Sequence, residues 1–530
     1  FGIMGYLGYN VTILTALVPP VIIVIGIPNC IFLINKYHTE FRKNKDKHKS
    51  LQLMINKIGN ITLLTNLTTA SGFAAFLLTE SETLQEFGLV ASLSIIFIFI
   101  ISLLLIPIWF SFFPKPKLRH TKHLDKKWVR SVVLILSRWV KTKRKVIYFV
   151  SIVLSIVGIV GLSLVETTGN ITDDLSRDGD LYTDLQFFES NFGGVMPLEI
   201  IIDSKDSNGI YDPYFMSKIQ SLQDELVLYE EFSKPVSYIE FVKYVNQAYK
   251  NDGPKYYTLP QSMILPRLRS MLDRSEEINS LDMILTDDRD SKARISLRMN
   301  DLATPQMDTI LSDLRPKIND IFNPDEYNVS VTGFSRVFLE GTKFLVGNLV
   351  YSLLLVIVLI SIFMAWMFRS FRMVIVSLIP NLIPLLLTAA IMGYFSIPIK
   401  PSTILVFSIA FGISVDDTIH FLAKYRQELL SRNWNIRTSV YKALEETGVS
   451  MVYTSIVLFF GFFVFVASDF GGTVALGLLV SITLFFAMLS NLLLLPALLL
   501  TLEKNLTTKS FKEPLLDIFD DNEMKFKKEK

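Results

Sequence analysis

The chain has 530 residues, of which 50% are hydrophobic and only 19% charged, with a formal net charge of +2. That is too apolar for an ordinary soluble protein of this length, and the near-zero charge removes any global argument for nucleic-acid binding. The single cysteine, Cys30, excludes an intramolecular disulfide.

The chain begins at Phe1 inside an apolar stretch, 1–9, with no visible secretory signal peptide, and we expect it to be a fragment of a longer protein. Runs long enough to cross a bilayer then cover about 11–35, 60–79, 86–113, 146–166, 343–367, 372–396, 402–424, 449–468 and 472–501. The run at 60–79 is the weakest, because Asn60, Thr62, Thr65, Asn66, Thr68, Thr69 and Ser71 would suit an ordinary polar-faced helix. A basic linker, 114–145, follows the third run. Within it KKWVRSVVLILSRWVK puts apolar residues on one helical face with Trp128, Arg130, Arg138 and Trp139 at its edges. That pattern predicts a helix lying on a membrane surface, with a solvated basic linker as the alternative.

After a span at 146–167 the insert 168–340 is polar, with about 30 acidic against about 17 basic side chains. We expect strands at 197–202, 293–299 and 327–332, and helices at 214–228, 239–250 and 307–321, an α+β, ferredoxin-like pattern. Phe187-Phe188, Phe192, Tyr211, Tyr214-Phe215 and Tyr256-Tyr257 are read first as core, with the lining of an apolar passage as the alternative. Five spans follow over 341–502, then a charged tail, 503–530.

The span at 402–424 carries adjacent aspartates, Asp416 and Asp417, near its middle. A mid-membrane aspartate costs about 2.5–3.5 kcal/mol on insertion scales. The pair is therefore expected to face a protein interior or wet cavity, and to exchange protons as a coupled unit. His420 shares their helix face at i+4 and i+3, and is read either as a proton relay or as a histidine bonded to a neighbouring helix. Thr454 and Ser455 on the next span are candidate hydroxyl donors to the carboxylates, or interhelical glue.

The membrane part repeats itself. IMGY at Ile3–Tyr6 returns at Ile391–Tyr394, and Lys36-Tyr37 returns as Lys424-Tyr425. Gly59, Thr65, Gly72-Phe73, Gly88 and Pro107 match Gly448, Thr454, Gly461-Phe462, Gly477 and Pro496, at an offset of about 388–389 throughout. Parallel repeats are a transporter architecture. Segment 1–113 is thus the later part of one bundle and 341–502 a second. The short basic loops all fall on one side of alternating spans, and the positive-inside rule makes that side cytoplasmic.

These residues carry a resemblance. One span, a large extracytoplasmic α/β domain and five clustered spans, repeated, is similar to the resistance–nodulation–division (RND) superfamily. Gly412-Ile413-Ser414-Val415-Asp416-Asp417 resembles its Gly-x-x-x-Asp-Asp motif. Val331–Leu345, VTGFSRVFLEGTKFL, resembles the lead-in to the eighth span in the lipid-exporter (MMPL), hopanoid-exporter and Patched-like branches. The resemblance implies a polytopic α-helical membrane protein with two parallel-repeat bundles and an extracytoplasmic α+β, ferredoxin-like porter domain, multi-pass in a bacterial inner membrane. It implies proton-driven export of a hydrophobic or amphiphilic substrate such as a lipid, with Asp416 and Asp417 as relay. A first span, a first extracytoplasmic domain, a second span and most of a third are then expected upstream.

The chain departs from that pattern in its first repeat. Pro28 and Asn29 align with Asp416 and Asp417, so no carboxylate stands there. Asn29, Thr65 and Asn66 are the repeat-equivalent polar positions, able to hydrogen-bond across the repeat axis. Pro28 is expected to break its helix and free carbonyls. With no intramembrane lysine in that span, sodium becomes an alternative to protons, since carboxylate, amide and hydroxyl oxygens suit a hard cation. No phosphate-cradling Gly-x-x-x-x-Gly-Lys-Ser/Thr loop, metal cluster, cofactor motif or catalytic constellation is seen, so neither ATP nor enzymatic chemistry is expected. Two other readings stand beside the exporter: a sterol-sensing-like lipid sensor or sorting protein, and an accessory to Sec-type protein export.

Overall fold

The computed structural model describes residues 1–12, 14–117, 127–165, 170–250, 253–261, 263–266, 285–368, 370–432 and 434–501. The tail expected at 503–530 and the linker's basic run at 118–126 lie outside the described residues. The chain forms two compact units, one of residues 1–166 and from 345 onward, the other of residues 167–344.

The first unit is helical. A short α1 (Gly2–Leu7) precedes α2 (Val18–Asn44), α3 (Lys47–Ala74), α4 (Glu82–Phe112), α5 (Lys127–Thr142) and α6 (Arg144–Leu162). After the second unit come α11 (Phe334–Phe368), which begins in that unit, α12 (Phe371–Tyr394), α13 (Pro401–Ser431), α14 (Ile436–Phe463) and α15 (Gly471–Thr501). Nine helices among the described residues are long and apolar enough to cross a membrane, so the protein is a multi-pass membrane protein. Several run past their apolar stretch: α3 starts at Lys47 and α14 at Ile436, well before the hydrophobic runs at 60 and 449. Pro28 does not break α2, contrary to expectation; the helix continues through it to Asn44.

The repeat extends to backbone detail. Lys45 and Trp434, 389 residues apart, both take left-handed conformations (φ 56° and 64°) before α3 and α14. Asp46 then caps α3 by accepting from the Lys49 N–H at 3.1 Å, and Asn435 caps α14 by accepting from the Thr438 N–H at 3.2 Å. Both helices tighten into 3₁₀ turns, at Ala75–Leu78 and Val464–Ala467. Gly88 shows why glycine recurs. A Cβ there would lie 2.7 Å from the Phe73 carbonyl oxygen, and one at Gly477 would lie 2.7 Å from that of Phe462.

The linker helix α5 has two apolar stripes rather than one. Val129, Val133 and Val140 are buried against the bundle, where α5 packs on α14 and α15, and Lys141 stands 4.5 Å over the Tyr441 ring. Trp128, Ile135 and Trp139 point outward and are exposed.

The second unit contains α7 (Asp180–Phe192), β1 (Met196–Asp203), α8 (Pro213–Leu226), α9 (Tyr238–Tyr249), β2 (Lys292–Met299), α10 (Thr304–Ile321) and β3 (Asn328–Thr332). Its sheet is antiparallel with order β2-β1-β3. Beyond β2, Phe232 bridges Met299 and Val236 bridges Ser296. These residues occupy a fourth strand position, which Pro235, lacking an N–H, keeps from becoming a regular ladder. Leu198, Ile200 and Ile202 of β1 and Ile295 and Leu297 of β2 pack on Phe215, Ile219 and Leu222 of α8 and on Met307, Leu314 and Ile318 of α10. On the central strand, Glu199 is gripped by Arg294 through two bonds of 2.5 and 2.7 Å, and these bonds push the guanidinium pKa up.

Helix α7 was not anticipated, and it corrects the reading of its phenylalanines as core. Phe187, Phe188 and Phe192 are about half exposed and pack on one another, with Phe188 and Phe192 stacked at 5.2 Å. Phe215 by contrast is core.

The glycine contacts yield a stability prediction. Gly88→Ala and Gly477→Ala should each cost about 1–3 kcal/mol by overpacking and lower the thermal unfolding midpoint of the solubilised protein. Gly347→Ala, inside a helix where a Cβ meets open space, should not lower that midpoint, because alanine is the better helix former.

Candidate functional site

Helix α13 is the bundle's axis. Its span is 94% buried, against 17% for α6, and it packs against α3, α12, α14 and α15. A helix so placed has no lipid-facing side on which to leave polar groups, so each of its polar residues must meet a partner or a cavity.

One face is clamped to its own repeat. The Ser414 hydroxyl donates to Asn381 Oδ1 of α12 at 2.5 Å, and Asn381 Nδ2 donates to Thr418 Oγ1 at 2.8 Å. The Thr418 hydroxyl donates to Asn491 Oδ1 of α15 at 2.8 Å, and Asn491 Nδ2 returns to Asn381 Oδ1 at 3.4 Å and to the Ser414 carbonyl at 3.3 Å. All four residues are buried. At about 100° per residue, Asp416 and His420 lie roughly 120–160° around the helix from Ser414 and Thr418. The clamp therefore turns the acid and imidazole toward the first repeat.

There Asp416 lines a cavity of about 20 Å³ with Pro28, Asn29, Thr65, Asn66 and Thr69, room for about one water molecule. Asp416 Oδ1 lies 3.3 Å from His420 Nε2. The pair is within ion-pair distance but not aligned as a hydrogen bond, and neither atom has a hydrogen-bond partner among the described residues. Asp417 turns instead to α14, where the Ser455 hydroxyl donates to its Oδ2 at 3.4 Å. The cavity's far wall is an amide pair. Asn29 Nδ2 donates to Asn66 Oδ1 at 2.8 Å, and Asn66 Nδ2 donates back to Asn29 Oδ1 at 3.1 Å. The Thr69 hydroxyl spans the repeats to the Gly412 carbonyl at 3.1 Å.

The repeat offset makes these contacts equivalent. Asn29 and Asn66 stand where Asp417 and Ser455 stand in the second repeat, so each repeat joins its two helices by the same side-chain contact. Phe32 is the counterpart of His420, and the two rings stack face to face with centroids 4.1 Å apart. The internal axis thus passes between Pro28 and Asp416 and between Phe32 and His420. One side carries an ionisable pair and the other an inert one.

From His420 a vestibule of about 510 Å³ opens along α13 past Lys424 and Gln427 to the basic helix ends. His420 is its innermost residue on α13 and connects it to Asp416. The oxygens of Asp416, Asn29, Asn66, Thr65 and Thr69 form the donor set present for a small hard cation.

Among the residues expected from sequence, Asp416, Asp417, His420, Ser455, Asn29, Thr65 and Asn66 thus gather around the crossing of α2, α3, α13 and α14. Thr454 does not join them. Its hydroxyl donates to the Ser450 and Met451 carbonyls of its own helix, at 3.1 and 3.0 Å. Sequence reasoning missed Asn381, Ser414, Thr418 and Asn491, although an asparagine in each of two strongly apolar spans was a visible signal. Phe32 carried none until its alignment with His420 was drawn.

The sequence pattern of the MMPL family matches residues 6–145 and 260–512. A protein of Methanocaldococcus jannaschii named as a membrane protein is 23% identical over 345 residues, covering 63% of this chain and 84% of that protein. The hopanoid transporter HpnN of Burkholderia multivorans is 31% identical over 154 residues, covering 29% of this chain and 17% of the transporter. With the family pattern matched over most of its length, the chain belongs to the MMPL family.

Proposed function

We propose that the protein is a secondary-active, RND-type transporter, not an enzyme, that exports lipids or other hydrophobic molecules at the expense of a proton gradient. The likeness to a hopanoid transporter supports a hydrophobic cargo. The observation that carries the coupling reading is Asp416: an ionisable group on the most buried helix, facing a one-water cavity and linked through His420 to an open vestibule. In this reading a proton that has reached Asp416 Oδ1 from the opposite side of the membrane passes to His420 Nε2 and leaves through the vestibule. Asp417, held by Ser455, couples occupancy to the α13–α14 contact. Each charge crossing about 100 mV yields roughly 2.3 kcal/mol.

The basic helix ends would face the cytoplasm and the second unit the periplasm. The strand order, with Glu231–Val236 in a fourth position, supports a ferredoxin-like porter domain. The exposed phenylalanines of α7 offer it an apolar surface for cargo.

Four outcomes test the reading in proteoliposomes with an imposed gradient. Asp416→Asn and Asp417→Asn should each abolish gradient-driven flux of a reporter lipid while the protein stays folded; full activity in both removes the relay. A flux driven equally by sodium and indifferent to protons would assign the cavity to the metal cation. His420→Ala should slow proton-driven flux by about 10²-fold, with partial rescue by imidazole entering through the vestibule. Thr418→Val removes one bond from each of two buried amides and should cost about 1–3 kcal/mol of stability, with flux reduced but still gradient-dependent, because α13 is held less firmly in rotation but keeps its acids.

A further inference from the structure

The vestibule that ends at His420 is walled by α2, α3, α5, α13 and α14, and its lining is strongly cationic: Lys36, Arg42, Lys43, Lys57, Arg130, Lys424 and Lys442 face it, against Glu445 and Glu446. The repeat explains part of this. Lys36 pairs with Glu40 at 3.3 Å, and its counterpart Lys424 pairs with Glu428 at 2.9 Å. The two halves then diverge. Lys57 of the first reaches Glu40 at 3.4 Å, whereas its counterpart Glu446 reaches Lys424 at 2.7 Å. These pairs neutralise the cavity's flanks. Lys43, in the last turn of α2, and Arg130, on α5, have no ion pair among the described residues. A concave surface of one charge sign focuses potential and gathers counter-ions. A pure proton path has no use for such a surplus, because it repels the ion that must pass through it.

The remaining lining is mixed, with polar residues such as Asn35, Gln427 and Ser450 beside apolar ones. Phe32, Ile61, Val133, Leu134 and Val449 contribute to the walls. The helix that brings Arg130 to the cavity also presents Trp128, Ile135 and Trp139 outward, and tryptophans of this kind favour the level of lipid headgroups. A site with free cations, apolar walls and a tryptophan-bearing lip suits a ligand that is anionic at one end and hydrocarbon at the other. We propose that the vestibule binds the phosphate of an anionic phospholipid from the adjoining leaflet, between Arg130 of the linker helix and Lys43 of α2, with an acyl chain along the exposed Leu134. Arg130 supplies a planar donor fork for phosphate oxygens and Lys43 a point charge. The bound headgroup would lie over the way to His420 and tie α5 to the first repeat. This inference does not depend on which ion Asp416 carries.

The test uses the full chain in nanodiscs containing equal phosphatidylglycerol and phosphatidylcholine, with retained lipid counted by native mass spectrometry after detergent release. The native protein should retain phosphatidylglycerol preferentially. The Lys43→Glu/Arg130→Glu double variant should lose on the order of tenfold of that retention, and Lys255→Glu, in the other unit, should lose none. Circular dichroism and elution volume confirm that each variant is folded. In a second arm, glycerol phosphate is titrated into protein held in phosphatidylcholine alone. Saturable binding there without retained phosphatidylglycerol would mean a free anion and overturn the lipid assignment. Equal retention of both lipids by the native protein and the double variant would overturn the site.

Discussion

Hydrogen bonds between side chains in a membrane interior are worth little individually, about 0.6 kcal/mol on average, yet are costly to leave unmade where no water can replace them. The ring formed by Asn381, Ser414, Thr418 and Asn491 owes its importance to that asymmetry. It adds modest stability but penalises every rotation of α13 that opens it. Because Ser414 and Thr418 are spaced one helical turn apart, closing the ring also determines where Asp416 and His420 point. The acid meets the first repeat because the opposite side of its helix has no alternative set of partners.

The two repeats share a backbone plan and differ in chemistry at the axis. Caps, left-handed turns, 3₁₀ endings and the glycine contacts of α3 with α4 and of α14 with α15 recur at one offset. Against that common frame the first repeat places Pro28, Asn29 and Phe32 where the second places Asp416, Asp417 and His420. The amide pair Asn29–Asn66 holds its helices together and carries no ionisable group. Of the two halves, only the second carries ionisable groups at the axis.

The basic helix ends follow a different logic. Lys36–Glu40 and Lys424–Glu428 are i,i+4 pairs on equivalent helices, and sequence spacing makes such pairs predictable. The exchange of Lys57 for Glu446 at one repeat position is equally visible in the sequence. What it does to the cavity is not, because the two residues reach different partners. The linker helix shows the same limit. Its composition marked an amphipathic segment, while the docking of its valine stripe on α14 and α15 emerged only when those helices were placed together.

Hydrophobic runs of about 20 residues, an offset near 388, alternating strands and a carboxylate pair in a membrane span are local or periodic properties. They set the span count, the repeat, the strands of the polar unit and the position of the acids, because each follows from what one segment requires of its own surroundings. Thr454 and Ser455 could not be separated in this way: both are buried hydroxyls on one helix, and rotation of α14 alone sends one to a carboxylate and the other to its own backbone. Nor could the exposure of Phe187, Phe188 and Phe192, the stacking of Phe32 on His420, or the polar ring behind the acids be read in advance. Each depends on which residues far apart in the chain share a few ångströms, and only packing of the whole bundle or of the whole α+β unit decides that.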